Sequence, residues 1–185
     1  NMNWVAPVEM ELLETSMDPH PDTGKPKAPD IIPDYKKLVG IDADATLTEA
    51  DQLKMYDMVV NCMEQKVVGS GAYPYFIASG TLMQNANTSS LPETELYRDY
   101  IHASDKMRLA TAYLWLCELT GKSLTELCGE EGMITTVPGI HRQATANQGT
   151  DLVLTADEKA IFEEAITNAI NNPLKVTQSQ YTTAQ

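Results

Sequence analysis

The chain is short of basic residues, aromatics and cysteine, and it has no long apolar run. Lys and Arg number 13 against 26 Asp and Glu, which gives a formal charge of −13 and a pI of about 4.5. A surface of that sign repels phosphate backbones and anionic headgroups, so it excludes general nucleic-acid binding and membrane partners. No apolar stretch approaches the roughly 20 residues that a membrane-spanning helix needs. Only three cysteines occur, an odd number without tight spacing. That pattern excludes a small disulfide scaffold and points to reduced thiols in a reducing compartment. The N-terminus has no basic, apolar, small-residue leader. Asn1 before Met2 reads as an added residue ahead of an initiator methionine, which places the protein in the cytoplasm, or in a virion if it is phage-derived. If Asn1 is instead a processed end, that inference falls.

What is present is an ordinary globular composition. The 185 residues are 43% apolar, enough for one domain with its own core. Aromatics make up only 6% while Met occurs nine times. Met is a flexible filler that suits both cores and adaptable contact surfaces. The expected organisation is a short helix and Pro-rich arm over 1–40, a helical domain over 41–173, and a polar tail over 174–185. The tail is expected to be mobile unless docked. Five of the ten prolines fall in 18–34, which excludes a helix there and predicts an extended arm.

Helix signals carry the fold prediction. Thr48 with Asp51, Ser90 with Glu93, Ser123 with Glu126 and Thr155 with Glu158 have the spacing of capping boxes, in which hydroxyl and carboxylate satisfy each other's backbone amides. The first opens a helix over 48–68 with a stripe of Leu53, Tyr56, Val60, Met63 and Val67. The apolar run 72–84 is its expected hairpin partner. Over 91–120, Leu96, Tyr100, Ala103, Met107, Ala110, Leu114 and Cys117 alternate four and three apart, which predicts one long helix with a three-heptad seam. Gly121 is a natural C-terminal cap. Residues 132–154 read as irregular, with a short extended piece at 134–137. A last helix is expected over 156–170, stopped by Pro173. The predicted fold is all-α: an irregular helical bundle with one long helix (91–120), a helical hairpin (48–84), a C-terminal helix (156–170) and an extended Pro-rich N-terminal arm.

Chemistry is sparse. Gly121-Lys-Ser lacks the earlier glycine of a phosphate loop, because Leu116 stands there; it reads as one helix's C-cap running into the next N-cap. Asp42, Asp44, Glu49 and Asp51 suggest a calcium loop, but Leu47 and Leu53 occupy the places of its glycine and glutamate. Val137-Pro-Gly-Ile140 reads as a turn. Asp99 and His102 are three apart, a spacing at which carboxylate and imidazole can share a metal, though no second such pair exists and a solvated helix face explains both. Cys117, Cys128 and His141 are the catalytic or zinc-binding candidates, since thiol plus imidazole is the minimum for thiolate chemistry. No cofactor motif is present. The expected role is a non-catalytic structural or interaction subunit of a larger assembly, such as a virion, with a protein partner or a second copy as its contact. The alternative is a small enzyme or ligand-binding protein with a pocket near Cys117, Cys128 and His141.

Overall fold

The computed structural model describes residues 40–42, 45, 48–73, 76–98, 102–141 and 149–182. The helices expected at 7–17 and 34–39 and the arm at 18–34 lie outside the described residues.

Three of the capping boxes form as the spacing predicts. Thr48 caps α1 (Glu49–Cys62), with the Asp51 carboxylate accepting from the Thr48 amide at 3.0 Å. Ser123 caps α5 (Leu124–Cys128), and Thr155 caps α6 (Ala156–Asn171). Past Cys62, α1 continues as π-helical turns over Met63–Val68, closed by the Gly69 amide on the Glu64 carbonyl at 2.8 Å. Gly121 takes the left-handed conformation (φ 66°) that ends α4, so Gly121-Lys-Ser is the cap-to-cap joint read from the sequence.

The long helix is broken, which corrects the prediction over 91–120. Residues Glu93–Leu96 form α3, a single turn, and α4 begins only at Asp105 and runs to Thr120. Between them Tyr97 and Ala103 form an isolated antiparallel bridge. Ser104 is the real N-cap: its Oγ accepts from the Met107 amide at 3.0 Å. Ser90 does not cap α3, whose N-cap position is Pro92 with no side-chain cap bond; the Ser90 amide donates to the Tyr181 carbonyl at 2.7 Å. The hairpin partner is also shorter than predicted. Residues 76–78 are not helical, and α2 spans Ser79–Asn87.

The described residues are predominantly helical but not purely α. Residues Thr136–His141 (β1) and Thr150–Val153 (β2) make a two-stranded antiparallel sheet. Val137 faces Leu152 and His141 faces Thr150, so β1 bulges at Pro138-Gly139. Proline offers no amide to a ladder, and Gly139 accepts φ 68° while its amide donates to Asp151 Oδ1 at 3.1 Å. The alternation that marks a strand is short here, which is why the segment reads as irregular from sequence.

One core joins α2, α4 and α6. Leu82 and Ala86 from α2, Met107, Ala110, Leu114 and Cys117 from α4, and Phe162, Ile166 and Ala169 from α6 are almost wholly buried. The seam teeth are therefore packed inside this chain, not offered to another helix. Leu154 also reaches this core, and Leu152 is fully buried on the inner side of β2. Lys106, on α4, reaches Glu95 of α3 at 2.7 Å and Glu158 of α6.

Helix α1 is tied down more lightly. Met55 and Tyr56 are buried, and Tyr56 Oη bonds Thr81 Oγ1 at 2.9 Å. Leu53, Met58 and Val68 stay 42%, 40% and 44% exposed. Of the predicted stripe, Tyr56 is buried, Val60, Met63 and Val67 are half-buried, and Leu53 is exposed.

Candidate functional site

Two regions carry the chemistry named from sequence. The first is the segment between α3 and α4. The Arg98 amide donates to the His102 carbonyl at 2.9 Å, and the Ser104 amide to the Leu96 carbonyl at 2.9 Å. Ser104 Oγ donates to the Glu95 carbonyl. These bonds clamp a short loop whose one described end presents His102, exposed, at the entrance to α4. His102 is thus on a loop and not on the solvated helix face expected of it. Asp99 lies outside the described residues. Among the described residues no group of three or more His, Cys, Asp or Glu is placed to hold a metal.

Beneath this loop the polar groups are unusually buried. Ser104 and Asp105 are buried at the start of α4. The Tyr97 ring is buried against the Gln84 side chain, and among the described residues Tyr97 Oη and Gln84 Nε2 make no hydrogen bond of normal geometry. Burial, with the nearby Glu93 charge, pushes the Tyr97 phenol well above its ordinary value, so it stays neutral.

The second region is a cleft of about 260 Å³ where α4 meets α5 and α6, lined by Cys117, Glu118, Lys122, Ser123, Thr167 and Asn171, with Gly121, Leu124 and Ile170. Cys117 is buried and Cys128 half-buried beside the same core, and both are free thiols. Burial first, then the neighbouring Cys128 and Glu118, push the Cys117 thiol up. That is the direction of an inert thiol, since thiolate chemistry needs it lowered. Burial also raises Glu118. His141 ends β1, paired with Thr150; its imidazole lies outside the described atoms. Of the calcium-loop acids, Asp51 is committed to the α1 cap, and Asp44 lies outside the described residues.

Sequence reasoning missed a third feature. Residues 174–182 are docked along α2 and α6, so the tail has a seat. Asn85 Oδ1 accepts from the Thr177 amide at 2.7 Å, and Thr88 Oγ1 from the Ser179 amide at 2.8 Å. Glu164 accepts from Ser179 Oγ and from the Gln180 amide, the latter at 3.0 Å. The only sequence signal was the cluster of Thr, Asn and Gln in α2, which reads equally well as a polar turn.

No family model matches the chain, and no curated protein does. Among solved structures the chain is similar to a DUF4886 family protein from Bacteroides uniformis ATCC 8492. The match has 27% identity and a TM-score of 0.53, and covers 71% of this chain and 43% of that one. The chain therefore spans less than half the length of that protein.

No described helix is long and apolar enough to cross a membrane.

Proposed function

We propose that this chain is an interaction subunit of a larger protein assembly, docking through the apolar side of α1 and its π-helical end. One observation carries the reading: among the described residues Leu53, Met58 and Val68, along α1 and its π-helical end, stay 42%, 40% and 44% exposed. In water such a helix is held mainly by burying that side, so an uncovered stripe is an unmet need. A cytoplasmic or virion setting belongs to the same proposal. Light scattering at several concentrations, combined with hydrogen exchange, tests it. The expected result is association, with α1 amides slowing as it proceeds. A strict monomer whose α1 amides are as protected as those of α6 sinks the idea.

A second reading is favoured by the break between α3 and α4. His102 is exposed where the break enters α4, and an Asp three residues earlier in the sequence is the type of group that orients an imidazole for proton transfer. In this reading His102 is the general acid or base and Asp99 fixes its tautomer. Nitrogen-15 NMR of the His102 ring tests it. A single Nδ1–H tautomer that is lost in Asp99→Asn supports the pair; a tautomer mixture unchanged by that substitution removes it. The Cys117 cleft is left with the weaker claim, as a small-ligand pocket and not a thiolate site.

A further inference from the structure

We propose that the groove between α2 and α6 is a receptor for an extended peptide, and that chains exchange it, each filling the groove of a second copy with its own residues 174–182. This groove touches α1 at Thr81, which Tyr56 Oη also bonds, but it does not depend on the reading given for α1.

The groove reads backbone. Asn85 and Thr88, three apart on one face of α2 and its end, take the amides of Thr177 and Ser179 at 2.7 and 2.8 Å. Alternate amides on one side is the repeat of an extended strand. The Ser90 amide donates to the Tyr181 carbonyl at 2.7 Å. Thr81 Oγ1 donates to the Pro173 carbonyl at 2.6 Å, where the tail enters. Glu164, on α6, holds Ser179 from the other wall. Among the described tail residues Ser179 alone is buried, so it is the side chain the groove selects.

Helix α6 helps to aim the receptor: Asn85 Nδ2 donates to the Ala165 carbonyl at 3.4 Å, which turns its Oδ1 to the tail. The ligand is held mostly by hydrogen bonds, which water can replace on release at little net cost. Its apolar residues Leu174 and Val176 are only half-buried.

The connection favours exchange. Helix α6 ends at Asn171, and Pro173 both stops the helix and makes the first groove contact. A hinge that short lets a tail leave as a unit, and a closed two-fold pair then makes every tail contact twice, losing none. The resident tail acts at an effective concentration on the order of millimolar. Exchange therefore rises with protein concentration.

Two full-length chains in a Cys62→Ser background test this, one with Glu164→Cys and the other with Ser179→Cys. They are mixed from ~10 µM to ~1 mM, oxidised mildly and mapped by mass spectrometry. The expected result is a 164–179 disulfide between chains whose yield rises roughly tenfold or more over that range. A third chain carrying both substitutions should close within itself when dilute. No cross-link in the mixture, while the double variant closes internally, overturns the exchange. Failure of the double variant to close overturns the groove itself. Neither result touches the α1 proposal, which scattering and α1 exchange decide separately.

Discussion

The Ser104 amide donates to the Leu96 carbonyl at 2.9 Å, joining two residues that a continuous helix would hold two turns apart. This bond is what divides the long apolar seam. It leaves Leu96 and Met107 in the same core, with His102 exposed just before α4. Ser104 also caps α4 and donates to the Glu95 carbonyl, and it is fully buried. Ser104→Ala removes a cap and strands two backbone groups. It should cost about 1–3 kcal/mol. Urea unfolding measures that loss, and hydrogen exchange should show it first at Asp105–Arg108. An unchanged midpoint would refute the account of the break.

The seam shows how far sequence reaches. Periodicity named Leu96, Met107, Ala110, Leu114 and Cys117 as inward, and each is buried. It could not show that the run is interrupted, because the period survives a loop that returns the chain in phase. Local capping patterns were sound where the partners are neighbours, as at Thr48, Ser123 and Thr155. The pattern at Ser90 failed: the N-cap position of α3 is Pro92, and the Ser90 amide goes to a residue 91 positions away, a partner no window of sequence contains. The tail failed for the same reason. Its polar residues look solvated until Asn85, Thr88 and Glu164 are seen to face them. At the candidate site, sequence picked His102 and Cys117 as residues to weigh but misjudged the setting of the first. It placed His102 on a solvated helix face because the loop did not show.

Tyr97 tests the cost of an unpartnered buried group. Its hydroxyl is buried beside the Gln84 amide, and among the described residues no hydrogen bond of normal geometry reaches it. Tyr97→Phe keeps the ring and removes the orphan. It should be neutral or raise stability by about 1 kcal/mol. A loss of that size in thermal or urea unfolding would mean that a buried water or another group serves the hydroxyl.

Asn85 makes the opposite prediction. Both ends of its amide are engaged, one with the Ala165 carbonyl and one with the Thr177 amide, and the residue is buried. Asn85→Ala should cost about 1–3 kcal/mol, since it leaves the Thr177 amide without its partner while the Ala165 carbonyl keeps its helical bond. Amides of residues 177–181 should exchange faster in the variant, while those at the centre of α4 change only with global stability. Uniform acceleration across the chain would show that Asn85 supports the core and not the tail.

Asp51 sets the pH behaviour of α1. Its carboxylate is held down to about 2, first by the Thr48 hydroxyl, then by Lys54 and the Thr48 amide. An unfolded Asp titrates near about 3.9. The folded value is the lower one, so the cap's contribution is fully present above about 4 and is lost as pH falls through about 2. The first turn of α1 should therefore stay capped at pH 5 and fray as the acid limit is approached. NMR titration of the Asp51 carboxyl should give a midpoint near 2, and Thr48→Ala should move that midpoint upward toward the ordinary Asp range. A parent midpoint already in that range would show that the box is not formed in solution, and α1 would then lack the N-terminal anchor that fixes its apolar stripe in register.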